Sequence, residues 1–453
     1  MYFLYSLLTA LGMLLASPYF LFTGLRRGQS LGSLRQRFGW GYPPGLRSSE
    51  GRSIWIHAVS VGEVLAVLPL ARRLKEQLPD RRLVVSTTTA TGQRLARERM
   101  PFASVVFYFP LDWRGPVRRA LRAARPEVIL VAETEIWPNF LREARRENIP
   151  VAFVNGRLSV RSHKGFLRAR SMTLGLLGNF QRTVLADASI YLMQSEADAA
   201  RLLDLGAPKE RVVVSGNLKY DLAPPHETDI SRWLAAEMRS SKRGPLVVAG
   251  SVLAGEVSPV LAAFDEIKKR WPAALLVLAP RKPDQFDAVA AEVRNSGREA
   301  VRRSALSFDG GSISALAAPR SVFLLDSVGE LSSLYALADT VFVGGSLVSA
   351  GGHNILEPAV VGRPPVFGPS MDNFKDVAAR FLKSGAGLQV SDSVQLAAAW
   401  TTLIGDVPRR TQMGSSARDL VERYRGATDK VLTHVVAMLE SPQELTTAAR
   451  SAS

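Results

Sequence analysis

Short apolar segments of strand length alternate with longer amphipathic segments along most of the chain, and this alternation limits the folds that the chain can adopt. The apolar segments are rich in β-branched residues, and the segments between them have the periodicity of helices. Such an alternation is typical of βαβ units, in which helices cover both faces of a mostly parallel sheet. The predicted strands are 54–60, 83–89, 105–110, 128–133, 151–155, 190–195, 246–251, 275–280, 322–327, 341–346 and 365–369.

The predicted strands form two series, which we assign to two domains. The chain has 453 residues, more than one hydrophobic core usually supports. A Pro-rich loop at 223–226 separates the series, so we expect Rossmann-like domains at 23–225 and 226–440, and a flexible tail at 441–453. Neither domain carries the Gly-x-Gly-x-x-Gly fingerprint of dinucleotide-binding folds. This combination suits the GT-B glycosyltransferase architecture, in which the two domains face a cleft, with the donor nucleotide mainly on the second and the acceptor on the first.

The apolar amino terminus is expected to attach the protein to a membrane. Residues 2–22 contain no charged side chain, and a helix of this length, at about 1.5 Å per residue, reaches roughly 30 Å, one hydrocarbon thickness. A cleaved signal peptide would carry basic residues before its apolar segment. Here the arginines follow it, which places the remaining chain in the cytoplasm. Pro18 can end the helix, so a full span and a partly inserted anchor over 1–22 both stay open.

Positive charge is concentrated in the first half of the chain. Residues 1–225 hold 32 Lys and Arg against 17 Asp and Glu, whereas the rest holds 25 against 24. The first half is therefore expected to meet an anionic partner, unless its arginines merely form a well-solvated face. The absence of cysteine excludes disulfides and thiolate catalysis. The five histidines are scattered and no Asp-x-Asp occurs, so we expect no metal and no other cofactor.

Candidate functional residues of the first half follow the predicted strands, because ligands bind beyond the carboxyl ends of parallel strands. Glu63 falls in a first helical turn, where the helix N-terminus keeps it ionised and able to accept a proton, although acids are common there without any function. Glu133 and Glu135 would share one face of a strand, and their repulsion would raise one pKa, or one of them accepts buried N–H groups. Arg157 and Arg161 either hold a phosphate or belong to a solvated loop.

Further candidates lie near the domain boundary and in the second half. Lys219 would place a cation at the mouth of the cleft. Gly351 and Gly352 allow the backbone to approach a phosphate, and a helix beginning near Asn354 would point N–H groups at it. Glu357, one turn into that helix, can accept both hydroxyls of a ribose. Together these residues indicate a nucleotide site.

Seven sequence blocks in this order resemble one enzyme family. The blocks are HAVSVGE, ETEIWPN, NGRLSVRS, GNLKYD, AGS, VGELSSLYALAD and VFVGGSLVSAGGHNILEPAVVGRPPVFGP. They resemble the 3-deoxy-D-manno-octulosonic acid (Kdo) transferases of lipopolysaccharide synthesis, and the similarity extends to about residue 430. The resemblance implies transfer of Kdo from CMP-Kdo to a hydroxyl of the lipid A precursor, lipid IVA, with inversion and without a metal. It also implies an enzyme at the cytoplasmic face of the inner membrane, where the basic first half would lie on the anionic bilayer.

The resemblance also implies roles for individual residues. Glu63 matches the general base, while Glu133 and Lys219 match positions that stabilise the transition state. Glu135, Arg157 and Arg161 remain candidates for acceptor or phosphate contacts. The residues that match the CMP-binding stretches are Pro280, Arg281, Val328, Gly329, Glu330, Asn354, Ile355, Leu356 and Glu357.

The chain departs from the family pattern in the second half. Val252 and Leu253 stand where relatives usually carry Thr-His, and Lys282 stands where they carry His. The nearest alternative function is another two-domain nucleotide-sugar enzyme, with a UDP or GDP donor, or a sugar-nucleotide epimerase. An inactive family member acting as a scaffold is a second alternative. A membrane-tethered RNA-binding protein is a third, but the chain has no RNA-binding aromatic module, so we expect no nucleic-acid partner.

Overall fold

A computed structural model describes residues 1–26, 31–47, 51–173, 175–306 and 320–440 of the chain. It divides into two compact units. The first comprises Met1–Asp221 and the segment that begins at Arg425, and the second comprises Leu222–Tyr424. Residues 425–440 therefore belong to the first unit, whereas the sequence placed them in the second domain. The predicted tail at 441–453 lies outside the described residues.

In its described part, the first unit contains a seven-stranded parallel sheet in the order β3-β2-β1-β4-β5-β6-β7. Its strands are β1 (Ser53–His57), β2 (Arg82–Thr87), β3 (Val105–Tyr108), β4 (Pro126–Ala132), β5 (Val151–Gly156), β6 (Ile190–Met193) and β7 (Val212–Val214). Its helices up to residue 221 are α1 (Tyr2–Arg26), α2 (Leu31–Arg37), α3 (Val61–Gln77), α4 (Ala90–Arg99), α5 (Arg114–Ala124), α6 (Pro138–Arg146), α7 (Val160–Met172), α8 (Leu176–Leu185) and α9 (Glu196–Asp204).

The described part of the second unit repeats this arrangement, with strand order β10-β11-β9-β8-β12-β13-β14. Its strands are β8 (Leu246–Val252), β9 (Leu275–Pro280), β10 (Glu299–Arg302), β11 (Ser321–Leu324), β12 (Thr340–Val343), β13 (Pro365–Phe367) and β14 (Leu388–Gln389). Its helices are α10 (Asp229–Ser240), α11 (Val257–Arg270), α12 (Phe286–Asn295), α13 (Leu331–Tyr335), α14 (Leu356–Val360), α15 (Lys375–Lys383), α16 (Ser393–Gly405) and α17 (Val407–Tyr424). The last described helix, α18 (Ala427–Glu440), returns to the first unit.

The central strands are largely buried because both faces of each sheet are covered. Every residue of β1 is buried. Trp55 packs in a cluster on one face of the sheet, while Ile54 and Ile56 pack in a cluster on the other. This is the burial that a parallel α/β sheet imposes on its strands, and it explains why the strands have near-continuous apolar sequences.

Helix α18 belongs to the first unit because its apolar face completes the core of that unit. Val431, Leu432 and Val435 are buried in the same cluster as Leu70 and Leu74 of α3.

The start of α18 is also bonded to the first unit. The Asp221 carboxylate accepts a hydrogen bond of 2.6 Å from the backbone N–H of Gly426 and another from that of Thr428. These long-range contacts account for the difference from the sequence-based division of the chain.

Helix α1 packs against the first unit through polar side chains. The Tyr2 hydroxyl donates to Asp187 over 2.5 Å, the Ser6 hydroxyl accepts from the Asn139 amide over 3.0 Å, and the Thr9 hydroxyl accepts from Trp113 Nε1 over 3.2 Å. The exposed face is apolar instead. It carries Phe3, Leu4, Leu7, Leu8, Leu11 and Leu15.

The sequence left open whether the amino-terminal segment crosses a bilayer. Throughout the described part of the chain, no helix combines the length and the apolar character that crossing a membrane requires.

Candidate active site

Glu63 lies at the carboxyl edge of the first sheet, just after β1. Ser60 caps α3, and its hydroxyl donates to Glu63 Oε1 over 2.8 Å while accepting from the Glu63 N–H over 3.4 Å. The other carboxylate oxygen, Oε2, accepts the backbone N–H of Val59 over 2.8 Å. Only 7% of the residue is exposed. The side chain is therefore fixed in one orientation by its own turn.

The environment of Glu63 sets its protonation. The pKa of Glu63 is raised to about 7, chiefly by burial and also by the nearby carboxylates of Glu133 and Glu135, while the Val59 N–H and the Ser60 hydroxyl oppose the shift. The expectation that a helix N-terminus keeps this side chain ionised is therefore wrong near neutral pH. A carboxyl group with a pKa near the working pH is suited to accept and release a proton.

Glu133 and Glu135 follow β4, the strand next to β1. Strand β4 ends at Ala132, and Glu133 has a left-handed backbone with φ of 55°. The two side chains therefore do not share one face of a strand, as the sequence suggested, because the chain has already turned. The predicted pKa increase is confirmed for Glu135, whose pKa is raised by burial and by Glu133. Three carboxyl groups are thus gathered at one edge of the sheet.

The loop after β5 is bonded to this turn. The Thr134 hydroxyl accepts from the Arg157 N–H over 3.0 Å and donates to the Arg157 carbonyl. The Leu158 N–H donates to Asp198 over 3.0 Å. Arg157 is consequently held beside the carboxylates, whereas Arg161 is an exposed residue in the first turn of α7. Among the described residues, no hydrogen bond or ion pair joins Arg157 and Arg161 to a common partner.

Lys219 is positioned by the neighbouring strand-end loop. It lies in a short 3₁₀ helix, Leu218–Tyr220. The Asn155 side chain, fully buried at the end of β5, accepts the Leu218 N–H over 3.0 Å, and the Asn217 side chain accepts the Lys219 N–H over 3.0 Å. The 3₁₀ helix also packs against α3, the helix that carries Glu63.

A second group of predicted residues lies at the carboxyl edge of the second sheet. Arg281 follows β9, and its backbone N–H donates to the Val252 carbonyl over 2.9 Å while its side chain is exposed. The pKa of His353 is lowered to about 4, chiefly by burial and also by the charge of Arg281. Burial and Glu357 raise the pKa of Tyr335, and Arg281 opposes this. These influences on the pKa values show that the side chains of Arg281, Glu357, Tyr335 and His353 lie near one another.

The remaining predicted nucleotide contacts are arranged around this group. Glu330 accepts both guanidinium contacts of Arg303 over 3.0 Å and is also bonded by the Ser327 hydroxyl. Val328 and Gly329 are exposed beside it, and Pro280, at the end of β9, is buried. The side chains of Ile355 and Leu356 are fully buried, so only their backbone can reach a ligand.

Helix α14 is shorter and begins later than the sequence suggested. It begins at Leu356 and is only five residues long. The Asn354 side chain accepts the Leu356 N–H over 3.1 Å and donates to Glu357 over 3.3 Å. Asn354 therefore orders the segment that the sequence assigned to the nucleotide.

Comparisons with known proteins decide the family. Residues 32–222 match the model described as 3-deoxy-D-manno-octulosonic-acid transferase (kdotransferase). The 3-deoxy-D-manno-octulosonic acid transferase of Haemophilus influenzae is 32% identical over 396 residues, covering 86% of this chain and 88% of that protein. The protein of that name from Bordetella pertussis is 34% identical over 394 residues, covering 84% and 86%. The chain belongs to the 3-deoxy-D-manno-octulosonic acid transferase family.

Membership of the Kdo transferase family confirms the resemblance that the sequence blocks indicated. At the level of the fold, a putative UDP-N-acetylglucosamine 2-epimerase from Listeria monocytogenes matches with a TM-score of 0.53 at 12% identity, covering 87% of this chain and 98% of that one. So low an identity concerns the fold alone. Together with the two parallel sheets, it confirms the GT-B class of α/β fold.

The departures from the Kdo transferase pattern lie at the same edge of the second sheet. Val252 is fully buried within β8, Leu253 is half-buried, and the side chain of Lys282 is exposed beside Arg281. Val252 therefore contributes an apolar side chain to the protein interior. The Leu253 backbone N–H donates to the carboxylate of Glu256 over 2.9 Å.

Three other residues of these candidate sites were not singled out from the sequence. Asn155, Tyr335 and His353 lie within the blocks NGRLSVRS, VGELSSLYALAD and VFVGGSLVSAGGHNILEP, so the blocks were a usable signal. Their side chains could not be assigned because their neighbours come from distant segments. Across the described ranges, no three His, Asp or Glu side chains are grouped as metal ligands.

Proposed function

We propose that the protein transfers Kdo from CMP-Kdo to a hydroxyl of the lipid A precursor, with inversion and without a metal. The observation that carries the proposal is the state of Glu63. A buried carboxyl group with a pKa of about 7, held by the Val59 N–H and the Ser60 hydroxyl, can take the proton of an attacking hydroxyl. The acceptor oxygen then bonds to the anomeric carbon as the bond to the CMP phosphate breaks. The electron pair leaves with CMP, and a single displacement inverts the configuration.

The second unit supplies the groups that this donor requires. The exposed cation of Arg281 can neutralise charge on the departing phosphate, and Glu357 can accept the ribose hydroxyls. CMP leaves readily once the charge on its phosphate is compensated, so no separate general acid is needed to protonate it. Lys219 and Glu133 are proposed to stabilise the transition state at the edge where Glu63 lies.

Transfer is the direct test of this function. We expect the purified wild-type protein, without added divalent metal, to convert CMP-Kdo and a tetraacylated lipid A precursor into a lipid heavier by one or more Kdo residues, as measured by mass spectrometry. UDP and GDP sugars offered in parallel serve as controls for donor choice. Intact, folded protein that leaves CMP-Kdo unconsumed would contradict the proposal, and use of a UDP or GDP sugar would assign a different donor.

We also propose that the protein acts at the cytoplasmic face of the inner membrane and that α1 lies in the lipid interface. Tyr2 and Thr9 of α1 are bonded to the rest of the first unit, and Leu7, Leu8 and Leu11 are exposed on the other side of the helix. Phe180 of α8 contacts the rings of Tyr2 and Tyr5, and exposed Met172 and Leu176 lie where α7 ends and α8 begins. An apolar helix face beside arginine-rich helices is suited to an anionic bilayer.

Vesicle binding tests the membrane proposal on the full-length chain. The double variant Leu7→Glu/Leu11→Glu is expected to lose at least about 100-fold in partition to anionic vesicles, because two apolar side chains leave the lipid. Val394→Glu, an equally drastic change at an exposed apolar residue of the second unit, is the control and should bind as the wild type does. Equal binding by all three proteins, or wild-type binding that is insensitive to the vesicle charge, would refute the proposal that α1 lies in the lipid interface.

A further inference from the structure

Glu256 is a fully buried acid whose carboxylate collects backbone N–H groups. It follows β8 and precedes α11. Oε2 accepts the N–H of Leu253 over 2.9 Å and that of Gly345 over 2.7 Å. Oε1 accepts the N–H of Ser346 and that of Leu347, both over 2.9 Å. Four donors thus occupy the two oxygens, which is the arrangement that allows a carboxylate to be stable out of water.

These hydrogen bonds connect two loops that are far apart in the sequence. Strands β8 and β12 are neighbours in the sheet, at the switch point where the strand order reverses direction. In open α/β sheets this is the place where ligands bind, beyond the carboxyl ends of the strands. Close approach of the loops requires glycine, because a Cβ at Gly344 would lie 2.6 Å from the Ser251 carbonyl oxygen and 2.8 Å from Glu256 Oε2.

The loop that Glu256 holds is the platform for the predicted nucleotide segment. The Gly345 carbonyl accepts the Gly352 N–H over 2.7 Å. The His353 ring lies directly against Gly345, since a Cβ there would be 2.6 Å from His353 Nε2. That Nε2 is buried and has no hydrogen-bond partner among the described residues. A shift of Gly345 would therefore move Gly352 and His353, and with them Asn354.

The network continues to the next strand. The Ser346 hydroxyl donates to the Val343 carbonyl over 2.5 Å and accepts the Gly368 N–H over 2.8 Å. The Ser370 N–H donates to the Ser346 carbonyl over 2.9 Å. Glu256 thus ties together the loops after β8, β12 and β13. The N–H groups of residues 345–347 are engaged inside the protein, so a donor phosphate must take its hydrogen bonds from other groups, such as Arg281.

We infer that Glu256 is a positioning residue of the donor site, which holds the Gly345 loop so that residues 352–357 are presented to the nucleotide. This inference rests on the proposed function, because it assumes that the second unit binds the CMP moiety. Glu256 itself does not touch the donor. Loss of its carboxylate should therefore weaken binding of the donor and leave binding of the acceptor unchanged.

The substitution Glu256→Gln tests the inference by placing an amide N–H₂ against two backbone N–H groups. Leaving these donors unsatisfied is expected to raise the KM for CMP-Kdo, and the Kd for CMP measured by titration, by about 10- to 100-fold. The KM for the lipid acceptor should stay within about twofold of the wild-type value. A general loss of folded protein would lower the apparent kcat and leave both KM values unchanged, so it would not raise the donor KM. Glu266→Gln, an exposed acid on the same helix, is the matched control and should change neither constant.

A second variant, Ser346→Ala, tests the inference if Glu256→Gln fails to fold. Ser346→Ala keeps Glu256 and removes only the hydroxyl links to Val343 and Gly368, so the KM for CMP-Kdo should rise about 3- to 10-fold. A folded Glu256→Gln with wild-type donor constants would overturn the inference. So would an unchanged donor KM in Ser346→Ala if Glu256→Gln does not fold. Wild-type protein that binds CMP but transfers no Kdo would overturn the proposed function alone, and wild-type protein that does neither would overturn both.

Discussion

Glu63→Gln is expected to lower the rate of Kdo transfer by about 10²- to 10⁴-fold, the range that a positioned general base contributes. The amide has the same shape and can still accept the Val59 N–H or the Ser60 hydroxyl, but it cannot take a proton. Glu76→Gln, an exposed acid at the end of the same helix, is the matched control and should transfer Kdo at the wild-type rate. A Glu63→Gln variant with more than about a tenth of wild-type kcat/KM would remove this residue from the mechanism.

The same side chain sets the expected pH dependence of activity. Because only the ionised form of Glu63 accepts a proton and its pKa is about 7, kcat/KM of the wild type should rise about tenfold per pH unit below pH 7 and level off above it. A profile that is flat between pH 5 and pH 8 would contradict the assignment.

Stability should change in the opposite direction to activity. The folded-state pKa of Glu63 is raised from 4.5 to about 7, so the folded protein binds the proton more tightly than the unfolded chain. Its stabilising contribution is present below pH 4.5 and is lost as the pH rises through about 7. The neutral glutamine avoids this loss, and Glu63→Gln should be more stable than the wild type at pH 8 by about 2–3 kcal/mol at most. Thermal unfolding at pH 5 and pH 8 measures the difference.

Gly368→Ala is expected to destabilise the second unit by about 3 kcal/mol or more, because a methyl group there would meet backbone atoms that cannot rotate away. The added Cβ would overlap the Ser346 carbonyl and lie 2.5 Å from the Leu347 nitrogen, in the loop that Glu256 holds. Urea unfolding measured with one probe in each unit reports the change, because Gly368 lies in the second unit and the control position lies in the first.

Gly165→Ala is the matched control for this prediction. Gly165 lies inside α7, and nothing lies within 4 Å of the position of its added Cβ. Alanine favours a helix over glycine by about 1 kcal/mol, so this variant should be slightly more stable than the wild type. Two glycine substitutions with equal unfolding midpoints would show that the close approach at Gly368 is not rigid.

All the predicted strands are found in the structure, but three strands of the described residues were not predicted. They are β7, β10 and β14, and each is two to four residues long. All three are edge strands: β7 ends the first sheet, and β10 and β14 are the two edges of the second. Strand β7 is apolar but only three residues long, and β10 and β14 have neither an apolar run nor a clear alternation, so hydrophobic periodicity does not reveal them.

The sequence by itself determined the α/β class, the two series of strands, the family and the positions of the acids at the strand ends, because these depend on local pattern and residue identity. The tertiary structure sets the protonation of Glu63, because burial and two carboxylates from the turn after another strand determine its pKa. It also decided that α18 completes the first unit. Glu256 acquires its role from N–H groups about ninety residues away. Contacts of that range arise only when the chain has folded, and no local pattern encodes them.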